Sequence, residues 1–212
     1  MSKIIIMADV IGSSKTKSQK VMSTLKKIVT ETNLKWRSNI VSPLTITLGD
    51  EFQGIVKSLE MCVRILFDLE ERIIDENGPF KLRYIIHLGK IETKINRKMA
   101  HGMLGPGLTS ARSELTTLKK FNRRILIRLH RDKKNEEALN NAMLVYQHFV
   151  DGWKKKDFIT VSNFLQHDDY KIVAKNTGID ISSAWRRNRS LSIKEYNSIK
   201  EVILYLSRHY AN

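Results

Sequence analysis

The chain reads as an α+β protein: a ferredoxin-like sheet layer followed by an all-helical segment that contains a helix-turn-helix. Three observations predict this. Over residues 1–130, short β-branched runs alternate with helical patterns in the order βαββαβ, and a helix and a further strand follow. Helices that join strands of an antiparallel sheet pack on one of its faces, which is the ferredoxin-like arrangement. Beyond Asp132-Lys-Lys-Asn135, which reads as a linker, the periodicity is helical only. Two domains are therefore expected, 1–130 and 136–212.

The elements follow in order. Residues 3–9 are short, apolar and β-branched, and Gly12 bounds them, so they read as a buried strand. Val21, Leu25, Ile28, Val29 and Trp36 fall at helical spacing within 16–37. Pro43 marks a break. Residues 44–48 and 52–57 read as a hairpin turning at Gly49-Asp50-Glu51. Leu59, Val63, Ile65, Leu66, Leu69 and Ile73 predict a helix over 58–76, which Asn77-Gly78-Pro79 stops. A strand is expected over 81–88, ended by Gly89. A helix is expected from Leu108 to Leu115, and the alternation of 124–129 predicts another strand. Helices are expected over 136–152, 169–177, 181–189 and 193–208. The last opens with a capping-box pattern, Ser192-Ile-Lys-Glu195, and carries the apolar stripe Ile199, Val202, Ile203 and Leu206.

The bulk properties narrow the function. Hydrophobic residues make up 42% of 212, enough for a packed core. The one cysteine, Cys62, excludes an intrachain disulfide and a Cys-based zinc site, and reads as packing. No apolar run reaches the roughly 20 residues of a membrane span, and Ile4–Met7 is too short for a signal peptide, so a cytoplasmic protein is expected. The net charge of +15 favours polyanionic partners or nucleotides. Residues 1–130 carry 23 Lys and Arg against 12 Asp and Glu, and the remainder 14 against 10, so the first segment is the more basic.

Chemistry concentrates where the first strands end. Ile4-Ile5-Ile6-Met7-Ala8 runs into Asp9, and Leu44–Leu48 runs into Gly49-Asp50-Glu51. In a βαββ unit these ends lie side by side, so Asp9 and Asp50 can share a hard cation such as Mg²⁺, with Glu51 as an outer ligand. Ile11, Gly12, Ser13 and Ser14 follow at once. Glycine lets a phosphate approach the backbone, and either serine can cap the helix or touch a phosphate oxygen. His87 reads as a packing position in its strand, and His101 lies in a glycine loop. No Walker-type loop or nucleophile motif is present.

Asp9-Val-Ile-Gly-Ser13 resembles the first metal-binding motif of class III nucleotide cyclases. Gly49-Asp50-Glu51-Phe52 resembles their second, and also the hairpin of GGDEF diguanylate cyclases. Ile85-Ile-His-Leu-Gly89-Lys-Ile resembles the cyclase strand that ends in glycine, and Gly105-Pro-Gly-Leu-Thr-Ser-Ala-Arg112 the helix that carries their transition-state arginine. In order and spacing the combination most closely resembles the SatD family of bacterial proteins, over most of the chain. The resemblance implies a nucleotide cyclase-like palm and a Mg²⁺ or Mn²⁺ site at Asp9, Val10, Asp50 and Glu51. It also implies catalytic roles for Asp9, Asp50 and Arg112, and a homodimer, because cyclase sites form between two palms. The pattern departs at three places. The asparagine one turn before the arginine is here Leu108, and the purine-reading lysine is here Ile46. The acidic purine reader has no counterpart near Gly102-Met103-Leu104. These departures argue against standard purine cyclase activity.

In the second segment, Tyr170–Arg187 carries the marks of a helix-turn-helix: small Ala174, Gly178 four residues on, Ile179 as the buried turn residue, and Asp180 or Ser182 as a cap. Ser182, Ser183, Arg186, Arg187 and Arg189 are residue types that contact DNA phosphates and base edges. The expected function is a metal-dependent nucleotide-binding palm coupled to binding of double-stranded DNA, with a nucleoside triphosphate or signalling nucleotide as ligand. Two alternatives stand beside it: a nucleotidyltransferase or cyclase making a cyclic or oligomeric nucleotide, and a non-catalytic repressor whose palm serves dimerisation.

Overall fold

A computed structural model describes residues 2–12, 19–47, 49–121, 123–129 and 132–209. The sheet comprises β1 (Ser2–Val10), β2 (Ile40–Ile46), β3 (Glu51–Val56), β4 (Leu82–Lys90) and β5 (Ile125–Arg128), in the order β2-β3-β1-β4-β5. The first four strands are antiparallel to their neighbours, and β5 pairs parallel to β4. With α1 (Gln19–Lys35) after β1 and α2 (Leu59–Asp75) after β3, this is the expected ferredoxin-like order. β5 extends it beyond β4, through α3 (Pro106–Leu118).

Alternation along each strand sends side chains to two different layers. Ile4, Ile6, Ala8 and Val10 of β1 face the cluster formed with α1 and α2. Ile5 and Met7 face the second cluster, which α3 closes with Ala111, Leu115 and Leu118. Asp9 belongs by parity to the α3 face. Cys62 of α2 is fully buried, and burial pushes its thiol pKa up, as a packing residue requires.

Helices α4 (Lys133–Gly152), α5 (Phe158–Gln166), α6 (Tyr170–Thr177), α7 (Ile181–Ser190) and α8 (Ile193–Arg208) follow. Side chains of α4, α5, α6 and α8 join the same buried cluster as α1 and α2. Phe67 of α2 meets Tyr146 of α4 at 4.7 Å between ring centroids, and Tyr146 meets Tyr196 of α8 at 5.4 Å. Among the described residues no helix is long and apolar enough to cross a membrane.

Several boundaries differ from expectation for identifiable reasons. β2 starts at Ile40 and runs through Pro43, because it is an edge strand with shifted register there and needs no ladder N–H from proline. Gly89 lies inside β4 and does not end it. Glu51 is the first residue of β3 and not part of the turn. The expected linker at 132–135 is instead the start of α4, where the Asn135 N–H donates to the Asp132 carboxylate at 3.0 Å. Nine-residue α5, with buried Val161 and Phe164, is too short to show a full apolar period and was not expected. Ser192 precedes α8 at a left-handed φ of 51° without a side-chain cap, so the capping box does not form. Val202 is exposed and lies off the apolar stripe.

Candidate functional site

Antiparallel pairing decides which carboxylates meet. Asp9 of β1 is the register partner of Glu51 on β3 and of Arg83 on β4. Directly paired residues project to the same face, so all three side chains lie on the α3 side of the sheet. The neighbour of Asp9 in the ladder is thus Glu51. Asp50 sits one residue earlier, half-buried on the hairpin turn, where its backbone carbonyl accepts from the Val10 N–H at 3.0 Å.

Every inward carboxylate is matched by a cation. Arg83 Nη1 donates to both oxygens of Asp9, at 2.9 and 3.1 Å. Lys119, at the C-terminal end of α3, places its Nζ 3.2 Å from Asp9 Oδ2. Arg112 Nη2 donates to Glu51 Oε1 at 2.6 Å. The two cations of α3 differ in setting from Arg83. The Lys119 side chain is 56% exposed and that of Arg112 is 45%, whereas Arg83 is 12% exposed. Burial pushes the carboxyl pKa of both Asp9 and Glu51 above the usual range. Arg83 and then Lys119 pull Asp9 back down, Arg112 does so for Glu51, and Asp50 adds like-charge repulsion to each.

These oxygens are hard ligands of the kind that hold Mg²⁺ or Mn²⁺. Asp9 and Glu51 each draw cations of the chain onto themselves, and a divalent ion meets the same electrostatic demand. Among the described residues no group of three or more His, Cys, Asp or Glu side chains could hold a metal by itself. Mg²⁺ in general takes one or two carboxylates and completes its shell with water and substrate phosphates.

Of the residues expected to meet a phosphate, Gly12 adopts a positive φ of 76°. The Ile11 N–H, however, donates to the Lys81 carbonyl at 2.9 Å and is not available to a phosphate. Ser13 and Ser14 lie outside the described residues.

A family model described as the SatD family matches residues 3–206. The chain belongs to the SatD family. No match was found among curated proteins. Solved structures similar to this SatD-family chain include a bacterial light-regulated adenylyl cyclase, 13% identical at a TM-score of 0.43 over 59% of this chain and 74% of that one. Another is the catalytic core of a rhodopsin-guanylyl cyclase with converted specificity in complex with ATPαS, 18% identical at a TM-score of 0.42 over 59% and 76%. A third is the monomeric guanylyl cyclase domain of the RhoGC fusion protein from the aquatic fungus Blastocladiella emersonii, 17% identical at a TM-score of 0.39 over 59% and 80%. The overlaps are partial, and the fold of the SatD-family chain rests on its own strand order.

Two positions that depart from the cyclase pattern have packing roles in this SatD-family protein. Leu108 packs on the α3-side cluster and Ile46 on the opposite one. Arg83 and Lys119 were not singled out from sequence. Arg83 is one of several basic residues near its strand, and only the β1–β4 register sets it against Asp9. Lys119 lies past the expected helix end at Leu115, because the helix continues to Leu118.

In the second segment, α6 and α7 are joined by a short turn in which Gly178 adopts φ 68°. Asp180 caps α7 by accepting from the Ser183 N–H at 2.8 Å, and the Ser182 hydroxyl also donates to it. Arg186 and Arg189 are exposed, with the Arg189 guanidinium 5.1 Å from the centre of the exposed Trp185 ring. Arg187 departs from the expected DNA-facing role. It is half-buried and paired with Asp157 at 2.5 Å, so it ties α7 to the turn before α5.

Proposed function

We propose that this SatD-family protein binds a nucleoside triphosphate or signalling nucleotide together with Mg²⁺ or Mn²⁺ through its palm, and couples that binding to DNA through α6 and α7. One observation carries the first part: Asp9, Asp50 and Glu51 converge with Arg83, Lys119 and Arg112 at one end of the sheet. Asp9 and Glu51, with Asp50 at the rim, are the residues to hold the ion. The ion supplies charge neutralisation for a polyphosphate and polarises its oxygens. Arg112 can take phosphate oxygens bidentately. Leu108 and Ile46 stand where the cyclases have an asparagine and the purine-reading lysine, which favours binding over cyclisation.

Titration of the protein with MnCl₂ and each nucleoside triphosphate tests this by calorimetry. Asp9→Asn is expected to lower metal-dependent affinity by about 100-fold, the consequence of deleting one charged ligand of a shared ion. Equal binding by wild type and variant sinks the reading. Mass spectrometry of the same mixtures decides the enzyme alternative, since a new nucleotide product means that the palm is a nucleotidyltransferase.

For DNA, the supporting observation is the exposed face formed by Ser182, Trp185, Arg186 and Arg189 on a capped helix after a left-handed glycine turn. Two-fold pairing of such units on a palindromic site calls for a homodimer, and this protein is read as a cytoplasmic one. In gel shifts at low salt, Arg186→Ala/Arg189→Ala is expected to weaken duplex binding and flatten its salt dependence. Failure of the wild type to bind any duplex refutes it.

A further inference from the structure

The geometry points to an exchange of ion pairs at this site: Lys119 and Arg112 are internal stand-ins for the metal, and they transfer to the phosphates when a divalent ion arrives with a nucleotide. This rests on the nucleotide reading above and goes beyond it by assigning the two α3 cations a regulatory role.

Three observations support it. Three cations of the chain already hold two of the carboxylates, Arg83 and Lys119 on Asp9 and Arg112 on Glu51. The cations are of two kinds. Arg83 is largely buried, comes from the neighbouring strand and reaches both oxygens of Asp9, which makes it a fixed counterion. Lys119 and Arg112 come from one helix, lie two turns apart on the same side, and are about half exposed, so each head group can swing without disturbing the core. Finally, they touch Asp9 Oδ2 and Glu51 Oε1, oxygens that a bound ion would also use.

A divalent ion alone must therefore compete with Lys119 and Arg112 and leave both unpaired. An ion that arrives with a triphosphate offers them new anionic partners as it takes their old ones. Metal and nucleotide then bind with positive coupling, and linkage requires each to raise the affinity of the other by the same factor.

The test is a sign reversal in one variant. Mn²⁺ binding is measured by calorimetry and by electron paramagnetic resonance, with and without non-hydrolysable ATP and GTP analogues, for wild type, Lys119→Gln and Arg112→Gln. Lys119→Gln is expected to tighten Mn²⁺ binding without nucleotide roughly two- to fivefold, the worth of a half-exposed ion pair, while it weakens analogue binding in the presence of Mn²⁺ by a similar factor. Arg112→Gln is expected to show the same pair of opposite shifts. Both side chains are exposed, so both variants fold. Unchanged or weaker Mn²⁺ binding in Lys119→Gln overturns the exchange while leaving the nucleotide reading intact. Absence of any Mn²⁺-dependent analogue binding by the wild type overturns both.

Discussion

Arg124→Met is expected to cost about 3–5 kcal/mol of stability, the usual result of stripping one partner from a buried ion pair. Arg124 and Glu70 are joined at 2.6 Å with side chains only 5% and 4% exposed. Arg124 Nε also donates to Asp151 at 3.0 Å, and Nη1 to the Leu82 carbonyl at 3.1 Å. One guanidinium thus binds α2, α4 and β4 together beneath the sheet. Its removal leaves the buried Glu70 carboxylate without its cation. Urea unfolding should show a lower midpoint at unchanged slope. The double variant Arg124→Met/Glu70→Met is expected to recover most of the loss, since apolar replacement of a whole buried pair is often neutral. A single variant within 1 kcal/mol of wild type contradicts the account.

Gly107→Ala is expected to cost about 3 kcal/mol, the upper end for overpacking, and to weaken Mn²⁺–nucleotide binding as well. A Cβ on Gly107 meets the Gly89 carbonyl carbon at 2.6 Å and its Cα at 2.7 Å. These are backbone atoms of a strand in the middle of the sheet's α3 side, and they cannot step aside as a side-chain tip can. Relief comes only if α3 moves outward, and that withdraws Arg112 and Lys119 from the carboxylates they hold. Gly152→Ala is the control. It meets nothing within 4 Å at the end of α4, so it should leave both stability and binding near wild type. Loss of stability without loss of binding separates the packing role of Gly107 from its positioning role.

How much of this was legible in the sequence follows from the range of each signal. Strand and helix order came through because buried β-branched runs and helical spacing are local patterns. The carboxylates were visible because acids that end apolar strands stand out. Their pairing was not legible: Asp9 faces Glu51 and Arg83 through hydrogen-bond register, a relation between segments about 40 and 70 residues apart. Gly89 was readable as a strand end, while its actual use, with Gly107, is contact between two backbones. Arg187 looked like a DNA-facing residue because α7 is basic, yet Asp157, which claims it, lies on another element. Asp180 as a cap was legible, because a cap and its helix are neighbours in sequence.

The central place of β1 bears on how the chain is made. β1 precedes both of its ladder partners, β3 and β4, in the chain. Ile4-Ile5-Ile6-Met7 therefore emerges with both edges unpaired and both faces bare. At synthesis rates of about 5–20 residues per second, roughly 4–16 s pass before β4 is complete. Both edges of this apolar strand are open until β3 is made, and one stays open until β4 is, the condition under which nascent polypeptides aggregate or engage chaperones.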